Sequence, residues 1–124
     1  EGGVPESFTK IIQKLGAMSV ITTPQEHDAA VAMISHMPMV IAQALFSAAS
    51  ENKLAMELAA SGFRDMTRLA MSNTEMAQDM VLMNSKNIEH AILKLYKSVG
   101  DLTSDGYMEK IKQIKQEREK MFVK

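Results

Sequence analysis

Residues 23–50 read TPQEHDAAVAMISHMPMVIAQALFSAAS, and the reading of this stretch decides the fold. Its first four residues are a helix start. Thr23 is placed to cap, and Pro24 takes the first helical position, where its fixed φ fits. Glu26 stands three residues past the cap, where it can reach back. From Ala29 to about Ala49 the residues are small or apolar, and no charge falls between Asp28 and Glu51. A helix apolar on most sides is buried on most sides, so helix 24–49 is expected to run through a helical assembly. Pro38 removes a backbone donor and should kink or break it near Ser35–Met37.

On the N-terminal side, Glu1–Pro5 reads as a loop. Phe8, Ile11, Ile12 and Leu15 then recur at spacings of three and four, giving a short helix over 6–15 with one apolar face. Gly16 sits where a C-terminal cap belongs. The stretch 17–22, Ala-Met-Ser-Val-Ile-Thr, is the only credible strand. One strand makes no sheet, so it is expected either to pair outside this chain or to close a larger α/β domain.

On the C-terminal side, helices are expected over about 53–60, with a break at Gly62, then over 63–71 and 74–83, with the pattern resuming at Ser85. Ile88, Ile92, Leu95, Val99 and Leu102 form one stripe, and Tyr107, Ile111, Ile114 and Met121 form another. The two read as an antiparallel hairpin turned at Thr103–Gly106.

Composition agrees with a mostly helical class. The chain has 124 residues, one domain's worth, with only 6 Gly and 3 Pro to make turns and with 12 Met, which favour helix and fill gaps between helices. It carries 14 Lys and Arg against 15 Asp and Glu, a net charge of −1, which removes the simple electrostatic case for nucleic acid or an anionic membrane. The run Glu109–Lys124 has a local charge of +3, which a solvated face of an amphipathic helix explains. There is no Cys, so disulfides and thiolate chemistry are excluded. No uninterrupted apolar run approaches the length of a bilayer span and no signal peptide is recognisable, so neither a membrane span nor a secreted form is expected.

Few residues could carry chemistry. Ser35 and His36 stand beside the expected kink, where they either satisfy freed carbonyls or present polar groups to a ligand. Asp28, in the first turn, complements the helix dipole. His27 and His36, nine apart, project from nearly opposite sides, and His90 is on another helix, so no metal site is expected. Arg64, Asp65 and Arg68 concentrate charge. Asp65 and Arg68 at i, i+3 form either an ordinary surface pair or an arginine held ready for a ligand carboxylate, which its planar fork matches in two hydrogen bonds. Neither a glycine-rich phosphate loop nor a nucleophile–base arrangement is present.

Taken in order, Thr23-Pro24-Gln25-Glu26-His27-Asp28, Ile34-Ser35-His36-Met37-Pro38 and Ala60-Ser61-Gly62-Phe63-Arg64-Asp65-Met66-Thr67-Arg68-Leu69-Ala70, followed by Ser72-Asn73, Met76, Asp79 and Asn84, resemble the C-terminal part of the prephenate/arogenate dehydrogenase family. The match runs from about Glu6 to Leu102. The resemblance implies an all-α, multi-helix dimerisation and substrate-binding domain over 23–124. Before it, 1–22 would be the C-terminal helix and strand of an α/β dinucleotide-binding domain otherwise missing from this sequence.

The implied activity is NAD- or NADP-dependent oxidative decarboxylation of prephenate or arogenate in tyrosine biosynthesis, with the cofactor held by the missing domain and none expected here. The chain alone would be inactive, a cytoplasmic homodimer in its parent enzyme, with no nucleic-acid or membrane partner. By the same resemblance Arg68 would bind a carboxylate of the small dicarboxylate substrate. Ser35, His36 and Met39 would line the cleft, and Asp28, Asp65 and Arg64 would support it. Two positions depart from the family pattern: Met39 replaces a usual histidine and Ala77 a usual tryptophan. The rival readings are a non-catalytic helical interaction module with a Met-rich face and, more distantly, a small helical enzyme acting on chorismate.

Overall fold

The structure, a computed structural model, describes residues 4–122, and these are helical with no strand among them. The helices are α1 (Glu6–Lys14), α2 (Pro24–Val31), α3 (Met37–Ser50), α4 (Lys53–Glu57), α5 (Ser61–Met66), α6 (Thr74–Thr103) and α7 (Tyr107–Phe122). A π-helical turn, Ala32–His36, joins α2 to α3, and a 3-10 turn, Arg68–Met71, follows α5. Of the N-terminal loop expected at Glu1–Pro5, only Val4 and Pro5 lie within the described residues.

Gly16 ends α1 in the left-handed region at φ 73°, as its position after the helix suggested. Residues 17–23 have no regular secondary structure, so the expected strand over 17–22 does not form, and no second strand among the described residues is present to pair with it. The apolar stripe of α1 is likewise uncovered: Phe8, Ile11 and Leu15 are all exposed, and the helix buries no residue.

The capping box closes as the sequence dictates. Glu26 N–H donates to Thr23 Oγ1 at 3.2 Å, and Thr23 N–H donates to Glu26 Oε2 at 3.0 Å. The effect of Pro38 is milder than a break. The chain widens by one residue into a π-turn, in which Met37 N–H reaches Ala32 O, and then continues as α3. Pro38 thus enters the first turn of α3, where an N–H is least needed.

The core is small. Its buried apolar residues are Ala32 of the π-turn, Met37, Met39 and Ala42 of α3, and Ala77, Ile88 and Ala91 of α6, with Thr67 and Asn84 the buried polar residues. Small residues on both sides let α6 lie close against the π-turn while α3 rests on the 3-10 turn. The helix expected at 53–60 stops at Glu57, and Gly62 falls inside α5, so the break lies at 58–60 instead. α6 is two helical runs that meet at Asn84, whose non-helical φ −125°, ψ 23° kinks the helix where the pattern breaks between Met83 and Ser85. The hairpin turn forms where expected: Gly106 adopts φ 79°, and Lys110 Nζ caps the end of α6 on Asp101 O and Ser104 Oγ.

This core leaves much apolar surface uncovered. The chain exposes 10686 Å², against about 6,600 Å² for a compact monomer of its mass. Pro24–Ser50 is long and apolar enough by length and composition to cross a membrane, although only 22% of its most apolar window is buried. Counting uninterrupted apolar residues overlooked this, because Ser35, His36 and Gln43 interrupt the run without making it polar.

Candidate functional site

Three of the candidate residues, Arg64, Arg68 and His36, line two concavities. The first, of about 340 Å³, is lined by Phe46 of α3, by Phe63, Arg64 and Thr67, and by Arg68, Ala70 and Met71 of the 3-10 turn. Phe46 and Phe63 stack with ring centroids 6.0 Å apart and planes 25° from parallel, forming an aromatic wall. Thr67 is buried, its hydroxyl satisfied by Phe63 O at 2.7 Å. The chemistry of this hollow is therefore an apolar interior with two guanidinium groups among its lining residues.

The pairing of Asp65 with Arg68 does not form. That expectation assumed one continuous helix, but α5 ends at Met66 and Thr67, at φ −97°, ψ 6°, starts a new turn. Asp65 instead lies 3.9 Å from Arg64, both side chains largely in water, which makes the pair energetically slight. The exposed Arg68 side chain makes no ion pair or hydrogen bond among the described residues, so its five donors are unengaged.

The second concavity, of about 540 Å³, lies between the π-turn and the start of α6, with His36, Asn73, Glu75, Met76, Asp79, Met80, Met83 and Asn84 around it. Asn84 organises it. Its Nδ2 donates to the backbone carbonyl of Asp28 at 2.8 Å and lies 3.2 Å from His36 Nδ1, while its Oδ1 accepts from Asn87 Nδ2 at 2.7 Å. The irregular backbone at Ala32–His36 and the kink at Asn84 thus face each other and share hydrogen bonds. Irregular helical turns of this kind occur often at functional sites.

The other sequence-derived candidates fall less simply. Ser35 is exposed on the π-turn beside His36. Asp28 contributes its backbone carbonyl to the Asn84 bond, whereas its carboxylate is exposed and meets His27 Nδ1 at 3.2 Å. Asp28 and Asp65 therefore do not form a shared polar network. Met39 is 2% exposed and Ala77 is 7% exposed, so both belong to the core and neither forms an open wall of a concavity. Arg68 and His36 line different hollows. Sequence reasoning assigned no role to Asn84, Phe46 or Phe63. The signal for Asn84 was available: an amide standing in line with Ala77, Ile88 and Ala91 on an otherwise apolar helix face needs partners.

Comparison with known proteins follows the same lines. The profile of the prephenate dehydrogenase dimerization domain matches residues 23–121. A prephenate dehydrogenase of Bacillus subtilis (strain 168) is 37% identical over 87 residues, covering 67% of this chain and 24% of that protein. One from Lactococcus lactis subsp. cremoris (strain MG1363) is 32% identical over 83 residues, covering 64% and 23%. The chain thus spans about a quarter of the length of these relatives. Among solved structures, Synechocystis arogenate dehydrogenase superposes with a TM-score of 0.77 at 26% identity, over 94% of this chain and 46% of that one. Prephenate dehydrogenase from A. aeolicus, solved with hydroxyphenyl propionate and NAD+, shares the fold with a TM-score of 0.80 at 24% identity, over 94% and 44%.

Proposed function

The chain belongs to the prephenate dehydrogenase family through its dimerization domain, and from that premise we propose that it is the helical part of a nicotinamide-dependent prephenate or arogenate dehydrogenase. Its role there is to join two subunits and to supply one wall of the substrate cleft. The observation that carries the substrate reading is the unengaged guanidinium of Arg68 beside an apolar hollow walled by Phe46 and Phe63. A ring bearing carboxylates needs that combination: apolar contact for the ring and a forked donor for the charge.

In the proposed reaction a hydride leaves the ring carbon that carries the hydroxyl, carbon dioxide departs, and the ring becomes aromatic. Aromatisation drives the step, so the protein mainly has to bind, orient and exclude water. The nicotinamide accepts the hydride, and no residue of this chain is assigned to holding it. Arg68 anchors a carboxylate, Arg64 adds positive potential, and Ser35 and His36 offer polar contacts from the π-turn. Met39, buried in α3, presents no surface to a ligand in this chain alone. Residues 1–22 are read as the last helix and the following segment of the cofactor domain, which would cover the bare stripe of α1. The parent enzyme is read as a cytoplasmic homodimer of tyrosine biosynthesis.

The test is Arg68→Ala in the full-length enzyme. Loss of a charge-assisted pair should raise KM for the cyclohexadienyl substrate about 10- to 100-fold, with KM for the nicotinamide unchanged. An unchanged substrate KM removes Arg68 from the site. The exposed Met66, Met71 and Met83 favour a second reading, a non-catalytic module that docks partner helices. Absence of dehydrogenase activity on both prephenate and arogenate in the full-length protein would favour it.

A further inference from the structure

The hydrogen bonds around Asn84 determine which atom of His36 carries the proton. The backbone carbonyl of Asp28 can only accept, so the group that meets it at 2.8 Å must be the amide nitrogen of Asn84. The bond from Asn87 Nδ2 to Asn84 Oδ1 at 2.7 Å agrees with this orientation, which the Asp28 carbonyl fixes. With the amide so fixed, the second N–H of Nδ2 is the group 3.2 Å from His36 Nδ1. An N–H facing a ring nitrogen needs a lone pair there. In a neutral imidazole one nitrogen accepts and the other donates.

We propose that Asn84 is a positioning residue that holds His36 in the tautomer protonated at Nε2, so that the π-turn offers its concavity a hydrogen-bond donor. The ligand atom at His36 must then be an acceptor, an oxygen of a hydroxyl, carbonyl or carboxylate. The carboxylates of Glu75 and Asp79 line the same hollow and disfavour the negatively charged member of that set. An uncharged oxygen of the substrate is therefore the partner this hollow selects, whereas Arg64 and Arg68 line the other hollow. This last step rests on the substrate reading above. The tautomer assignment does not.

The experiment is nitrogen NMR of the chain with labelled histidine, recorded above the usual histidine range at about pH 8 and assigned by comparison with His36→Gln. The expected signals are a bare Nδ1 and a protonated Nε2 for His36, with no measurable second tautomer. A proton on Nδ1, or on both nitrogens, overturns the proposal without any need for an Asn84 variant. Asn84→Ala should let the second tautomer appear, and Asn84→Asp, whose carboxylate accepts, should make it the majority form. An unchanged spectrum in both variants, with helix content retained, also overturns it.

In the full-length enzyme Asn84→Asp should lower kcat/KM for the cyclohexadienyl substrate about tenfold or more, with KM for the nicotinamide unchanged. A tautomer that changes while the kinetics do not would remove His36 from the substrate site and leave the positioning role of Asn84 intact.

Discussion

Asn84 and Asp28, 56 positions apart in sequence, are joined by a 2.8 Å hydrogen bond from a side-chain amide to a backbone carbonyl. The bond ties the kink of α6 to the turn just before the π-turn, and it lies in a core of few large side chains. Asn84 is 8% exposed, while Asp28 is exposed and His36 and Asn87 are half-buried. The Asp28 carbonyl also accepts from Ala32 N–H, so Asn84→Ala should cost about 0.5–1.5 kcal/mol, the net contribution of a hydrogen bond. Chemical denaturation at one fixed protein concentration measures it, since stability varies with concentration wherever chains associate. Asn84→Asp should cost at least as much, because it sets a carboxylate oxygen against the Asp28 carbonyl. A loss below about 0.5 kcal/mol for both would mean that the bond contributes nothing net.

What the sequence made legible was the local chemistry of helix ends. Thr23, Pro24 and Glu26 act within four residues, and Gly16 and Gly106 each answer a backbone demand at one position. Such signals require no knowledge of distant contacts. The family signatures around Ser35–Pro38 and Gly62–Arg68 identified the domain for the same reason, since they are short and ordered. The spatial grouping of the site was not legible. Arg68 and Asp65 separate because Thr67 ends one helical turn and begins another, and periodicity assumes that turns continue. Met39 disappears into the core because which face of the nearly all-apolar α3 packs inward depends on elements dozens of residues away. The role of Asn84 depended on a kink that exists only once the π-turn lies opposite it.

Acid should loosen the start of the long helix first. The Glu26 carboxyl is held below its ordinary value, chiefly by the Thr23 backbone N–H, then by the Thr23 hydroxyl, then by the Thr22 hydroxyl, against a small opposing effect of burial. A carboxyl with a lowered pKa in the folded state contributes stability that is fully present above its unfolded value, near 4.5. That contribution is lost as pH falls through the lower folded value. Unfolding midpoints measured from neutral pH down through that window should fall less steeply in Glu26→Gln than in the parent. Equal slopes would mean that the box does not form in solution.

The small residue at position 77 is a packing requirement. Ala77 is 7% exposed and belongs to the core. Installing the tryptophan usual in the family, Ala77→Trp, should overpack this core and destabilise the chain by about 3 kcal/mol, the upper part of the usual range for oversized core residues. The measurement is again denaturant unfolding at fixed concentration. If the variant is as stable as the parent and gains affinity for the aromatic product, position 77 opens onto the cleft and the buried placement is wrong.

The excess surface leads to the most direct prediction. The chain exposes 10686 Å², about 4,000 Å² more than a compact monomer of 13.7 kDa would. Part of the excess is bare α1, and much of the rest is apolar: Leu45 and Phe46 of α3, and Leu82, Leu93 and Tyr96 of α6. Obligate homodimers bury about 2,000–5,000 Å² in total, so this surface is sufficient for one. An isologous contact would also cover both copies of the apolar helix with a single patch. Sedimentation equilibrium at about 1 μM, a concentration at which an interface of that class stays closed, should return twice the mass of the chain. Placing charge on the exposed face of α6, as in Leu93→Lys with Tyr96→Glu, should shift the species toward one chain if that face is the contact. A parent protein that sediments as a single chain of unchanged helix content would show that the apolar surface is tolerated in water, and the dimer would fall with it.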